Sequence, residues 1–141
     1  MENFPLRYRS REKALLYALW LNFKHRLKND QFGMLRGQNG DYLIVPTDHP
    51  SFQGERFEKL PKSLKKLGYD DIQALAMDED PLPIFEDIQG MFSTMQGEHL
   101  RFILKYQIPL ERFIRYELAC RGYDMDNRWC GFEAAKMVWL K

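Results

Sequence analysis

Between Ala14 and Leu21 runs the stretch ALLYALWL, which carries no charge. At 100° per residue, Leu16, Leu19, Trp20, Phe23 and Leu27 recur at helical spacing. Leu15, Tyr17, Ala18 and Leu21 then make the middle turns apolar on nearly every side. Such a helix is enclosed by its neighbours rather than laid on a surface. With Ser10 as N-cap, the pattern predicts a central helix running down to Asn29. The rest of the chain has to supply the layers around it.

The flanks of this segment imitate a secretory leader, because Arg7, Arg9, Arg11 and Lys13 precede it. The residues after Leu21 break the imitation: Lys24, His25, Arg26 and Lys28 stand where small residues would mark a cleavage site. The apolar run is also far short of the roughly 20 residues of a membrane span. Two cysteines, Cys120 and Cys130, have neither CxxC spacing nor a histidine cluster nearby, so they read as free thiols. A cytoplasmic location without membrane attachment is expected.

Downstream, Gln31 to Arg36 and Asp41 to Val45 flank Gly37-Gln38-Asn39-Gly40. Asn-Gly between apolar runs is a strong hairpin signal, and Pro46 ends the second strand. Residues 47–61 read as an irregular connection. Leu60, Leu64 and Leu67 suggest a short helix stopped by Gly68, and Asp70 or Asp71 caps another running through Met77. An acidic, proline-bounded turn from Asp78 to Pro83 precedes a helix from Ile84 to Met95. Further helices are expected from Glu98 to Tyr106 and from Pro109 to Arg121, the latter ended by Gly122. A polar turn over Asp124 to Arg128 leads to a closing helix with Phe132, Ala135 and Trp139 on one face. The fold class is mainly α (α+β): helices around a buried N-terminal helix, with one small β-hairpin near residues 31–46. With 141 residues and no repeat or low-complexity linker, a single domain over 1–141 is expected.

Charge is distributed unevenly around a net value of +1. Residues 69–99 hold eight acidic side chains and not one Lys or Arg. This block either complements the basic first helix within the fold or forms a negative surface that steers a basic partner. Asp78, Glu79, Asp80, Glu86 and Asp87 are its candidate binding residues.

In the helix 109–121, Leu110, Phe113, Ile114 and Leu118 define an apolar arc, and Glu117 and Arg121 fall inside it at i, i+4. They are expected to pair on the inward face. Arg112, Arg115 and Ala119 lie opposite, and Arg101 and Lys105 share a face of the preceding helix. Two helices joined by a short turn with basic residues outward resemble a helix-turn-helix DNA reader. That resemblance makes Arg101, Lys105, Arg112 and Arg115 candidate nucleic-acid contacts, but it puts Gln107 at the turn glycine and Ile103 at the small helical position.

His25, His49 and His99 lie in separate elements, with no metal-ligand spacing, phosphate loop or nucleophile motif. No metal or cofactor is expected. The leading expectation is a non-catalytic interaction or accessory domain whose partner is another protein or a second copy, and the run Glu117 to Lys141 has the texture of small bacterial accessory proteins. The alternatives are a DNA-binding regulator using residues 98–121 and a small enzyme assembled from dispersed histidines and carboxylates. The three predict different surfaces: an exposed aromatic or acidic patch, an exposed basic face, or a deep pocket of perturbed acids.

Overall fold

A computed structural model describes residues 4–28 and 30–141. Among these, six α-helices and a three-stranded antiparallel sheet follow the order β1 (Leu6–Tyr8), α1 (Arg11–Lys24), β2 (Phe32–Arg36), β3 (Tyr42–Pro46), α2 (Tyr69–Ala76), α3 (Pro83–Ser93), α4 (Gly97–Lys105), α5 (Leu110–Arg121) and α6 (Phe132–Trp139). The mainly α class with a small sheet is therefore the observed one. The chain forms two compact units, one up to Ser93 and one from Thr94 to Lys141.

The first unit is built on α1, as its apolar run requires. Ser10 Oγ accepts the Lys13 backbone N–H at 3.2 Å and opens the helix. Ala14, Leu15, Ala18 and Leu21 then pack with Phe32, Met34 and Ile44 of the sheet into the core. The helix closes at Lys24, five residues before the predicted end. Beyond it His25 N–H returns to Leu21 O and Arg26 Nη1 donates to Phe23 O at 2.9 Å, so a side chain takes a carbonyl that a continuing helix would use. Asn29, the predicted terminus, lies outside the described residues.

The hairpin forms where Asn-Gly placed it, with Phe32 paired to Pro46 and Arg36 to Tyr42. A third strand, β1, pairs Leu6 with Ile44 on the other side of β3 and gives the order β1-β3-β2. β2 is buried along four of its five residues. Phe32 and Met34 face α1, while Gly33 lies so close under the Phe57 ring that a Cβ there would sit 2.4 Å from it. The Asn22 side chain of α1 accepts the Phe32 N–H at 2.7 Å and donates to the Phe32 carbonyl at 3.1 Å, satisfying both backbone groups at the strand's start.

Residues 60–67 do not form the predicted helix. Ser63 Oγ accepts the Lys65 N–H, and only one turn, Leu67 N–H to Leu64 O, closes there. Leu60 still packs on the core of α1 and the sheet. At α2 the Asp71 carboxylate accepts the Gly68 N–H at 2.9 Å, so Asp71 caps from inside the first turn while Gly68 occupies the N-cap.

In the second unit α5 packs on α6, whereas α4 makes little contact with either. α4 ends in a Schellman motif: Ile108 N–H reaches Ile103 O and Gln107 N–H reaches Leu104 O. Gln107 takes the left-handed conformation, φ 51°, that glycine normally supplies. α5 ends at Gly122, φ 78°, with the Trp129 ring directly over it; a Cβ would lie 2.5 Å from that ring. Between the helices the Asp124 carboxylate accepts the N–H groups of Asp126 and Arg128 at 2.9 Å. Trp139 Nε1 donates to Tyr123 O at 2.8 Å and ties the end of α6 to the end of α5.

Candidate functional site

The acidic block is partly answered within the fold. Lys13 is buried, and its Nζ lies 3.1 Å from Asp78 Oδ2 and also donates to the Asp80 carbonyl. The Tyr8 ring lies 5.3 Å from the same ammonium. The Asp80 N–H donates to Asp78 Oδ1 at 3.0 Å. That hydrogen bond, with the bond from Lys13 and its charge, holds the Asp78 carboxyl below its ordinary value despite partial desolvation. Asp78 thus anchors the 78–80 turn onto α1. Glu79, Asp80, Glu86 and Asp87 are exposed and make no ion pair among the described residues.

A cleft of about 570 Å³ opens beside α1. Leu15, Leu16, Leu60 and Leu67 line it, and Lys59, Lys62 and Lys66 stand around it. Its two carboxylates are both engaged locally: Glu12 accepts the Ser10 hydroxyl at 3.4 Å, and Asp71 caps α2. The histidines do not assemble a site. His25 lies against Phe32, His49 Nδ1 accepts the Ser51 N–H, and His99 is exposed on α4. Among the described residues no group of three His, Cys, Asp or Glu could hold a metal ion, and no helix is long and apolar enough to cross a membrane.

The second unit presents a different surface. Ala119 and Ala135 are its buried apolar residues, and the α5–α6 seam runs through them. Small side chains occupy this seam, and the inward side of α5 is rotated from the predicted one toward Ala119. Ala119, assigned to the outer face with Arg112 and Arg115, turns inward. Of the predicted arc, Leu110, Phe113 and Ile114 turn outward, with Phe113 63% and Ile114 58% exposed, while Leu118 stays half-buried. Tyr116 extends this face beside Phe113. Glu117 and Arg121 pair at 3.3 Å as their spacing requires, but both side chains stand in solvent, not on an inward face.

At the loop end Tyr123, Trp129 and Phe132 form an edge-to-face series with ring centroids 5.5 and 5.3 Å apart. All three are more than two-fifths exposed, as are Met125 and Met137. Residue-by-residue amphipathicity could not tell what the α5 arc faces; Met125 falls in the polar turn and Trp129 directly after it, and neither carried a sequence signal.

The basic candidates are distributed along α4 and α5. Arg101, Lys105 and Arg112 are exposed, whereas Arg115 is half-buried and paired with Glu111 at 3.1 Å. Gln107 does adopt the turn conformation of a helix-turn-helix glycine, but α4 lacks the packing on α5 that fixes a recognition helix. Cys120 and Cys130 are free thiols. Set against known protein families, curated proteins and solved structures, the chain matches none of them.

Proposed function

We propose that this chain is a non-catalytic protein-interaction domain whose docking surface is the outer face of the α5–α6 hairpin. The observation that carries this reading is the α5 arc of Leu110, Phe113 and Ile114, turned to solvent, with exposed Tyr116 beside Phe113. A helix with this periodicity has its apolar side covered in the functional state, and an exposed patch of aromatic and aliphatic residues is the usual mark of an interaction site. Phe113 and Tyr116 supply it with aromatic side chains, a residue type that concentrates at interface centres. The free thiols and the charges following Leu21 support a cytoplasmic setting, and the composition from Glu117 to Lys141 fits a bacterial accessory protein.

A second reading, in which a basic partner is steered to the first unit, draws on the exposed Glu79, Asp80, Glu86 and Asp87. It loses Asp78, which is committed to Lys13. Less supports DNA reading, given the loose α4 and the engaged Arg115, and the scattered histidines give an enzyme little to work with.

The test is affinity capture with the full chain, comparing wild type with Phe113→Asp and Tyr116→Ser. Both side chains are more than three-fifths exposed, so the fold should keep its stability to within about 0.5 kcal/mol. The expected outcome is loss of the same bound protein from both variants. An unchanged set of bound proteins would refute the assignment of this face.

A further inference from the structure

The cleft beside α1 brings together an aliphatic floor and a cationic rim. Leu15 and Leu16 of α1 form one side of the floor, and Leu60, Leu64 and Leu67 of the irregular segment after the sheet form the other. Leu15 and Leu60 pack into the first unit. Leu64 is 38% exposed and Leu16 and Leu67 are half-buried, so apolar surface stays uncovered along the cleft.

Arg11, Lys59, Lys62 and Lys66 line the same cleft. All four are exposed, and none forms an ion pair among the described residues. Glu12 and Asp71 line it too, but Glu12 accepts the Ser10 hydroxyl and Asp71 caps α2, and two carboxylates against four cations leave the rim net positive. A lysine stem borders apolar surface while its ammonium stays in water, so a basic rim around leucines is compatible with folding without a ligand. It is also the complement of a molecule with an apolar body and an anionic head.

Two further features narrow that molecule. No aromatic ring lines the cleft, so it offers no stacking platform for a nucleobase or an aromatic acid. The α1 wall runs only from Arg11 to Leu16, about 8 Å at 1.5 Å per residue, whereas a docked helix of three turns spans about 16 Å. A volume of about 570 Å³ is that of a small-ligand site.

We infer that this cleft binds a small aliphatic anion, a single alkyl chain ending in a carboxylate, with the chain on the leucine floor and the head among Arg11, Lys59, Lys62 and Lys66. The site lies within the first unit and does not depend on the docking role proposed for α5.

Decanoate, kept below its micelle concentration, is the probe, titrated into the full chain while backbone amide shifts are followed by NMR. Saturable binding is expected, with shifts gathered at residues 11–16 and 59–67 and affinity falling up to about fourfold for each methylene removed on going to octanoate. Decyltrimethylammonium has the same chain and the opposite head, and should bind at least about tenfold more weakly. Lys62→Glu combined with Lys66→Glu reverses two exposed charges and should weaken decanoate about tenfold with an unchanged urea midpoint.

Absence of saturable binding, equal affinity for the cationic amphiphile, an unaltered affinity in the lysine variant, or inorganic phosphate bound as tightly as decanoate would each overturn the inference. Shifts gathered on α5 would overturn it as well, since decanoate would then be reporting exposed apolar surface and not the cleft. An amphipathic peptide of leucine and glutamate that binds at these residues where decanoate does not would reassign the cleft to a protein partner.

Discussion

Replacing Asp78 with asparagine removes the carboxylate that the buried Lys13 ammonium faces. At 3.1 Å and an effective dielectric of about 20, their attraction is worth about 5 kcal/mol before desolvation. Taking Lys13 out of water offsets much of that, and breaking a fully buried pair from one side costs about 3–5 kcal/mol. Asp78 keeps 27% of its side-chain surface in water, and the Asp80 carbonyl still accepts from Lys13, so the expected loss is smaller, about 2–3 kcal/mol. Lys13→Met together with Asp78→Asn leaves no stranded charge and should return to within about 1 kcal/mol of wild type.

The assay is urea unfolding read through hydrogen exchange at the amides of α1, which reports on the first unit alone. A loss under about 0.5 kcal/mol for Asp78→Asn, or a double variant less stable than the single one, would refute the anchoring role. The pair also sets an acid limit. The unfolded chain binds the Asp78 proton at its ordinary value near pH 4, and the folded chain only below it. Between those values the unfolded state holds more protons, so stability rises with pH. The contribution is complete above the unfolded value and is lost as pH falls through the folded one. In Asp78→Asn that part of the acid sensitivity should vanish.

Other perturbations probe local devices. Asn22→Leu strands the Phe32 N–H and carbonyl and should cost about 2–3 kcal/mol with an unchanged urea slope, whereas Asn22→Asp keeps the N–H bond but sets an oxygen against the carbonyl and should also destabilise. Gln107→Gly relieves the left-handed strain at the end of α4 and should add about 0.5–1 kcal/mol of local stability, seen as slower exchange at the amides of residues 102–105. Gly122→Ala meets both the positive φ and the Trp129 ring, and should cost the second unit about 2–4 kcal/mol in thermal unfolding.

The elements legible in the sequence were those with a period of their own. α1 follows from an apolar run with one cap, and β2 and β3 follow from the apolar runs on either side of Asn-Gly. β1 was not legible because the three residues Leu6-Arg7-Tyr8 are too few to show a period. The leucines at 60, 64 and 67 have helical spacing, yet a serine hydroxyl and a proline turn that stretch another way. Lys13 looked like one member of a basic run, and only the third dimension brings the 78–80 turn to it. The candidate docking face was legible as an arc, but not its direction. Amphipathic counting gives no weight to alanine, and here Ala119 decided which side of α5 turned inward.

That seam of small residues separates two tasks that most helical hairpins load onto the same side chains. Closure relies on Ala119, Ala135, Gly122 and the bond from Trp139 to Tyr123, none of which belongs to the outer band of α5. Phe113, Ile114 and Tyr116 can therefore be exchanged with little penalty to folding, so the identity of whatever they meet is free to drift while the scaffold stays fixed. Such a hairpin is an evolvable mount, one in which recognition changes at a rate that stability does not set.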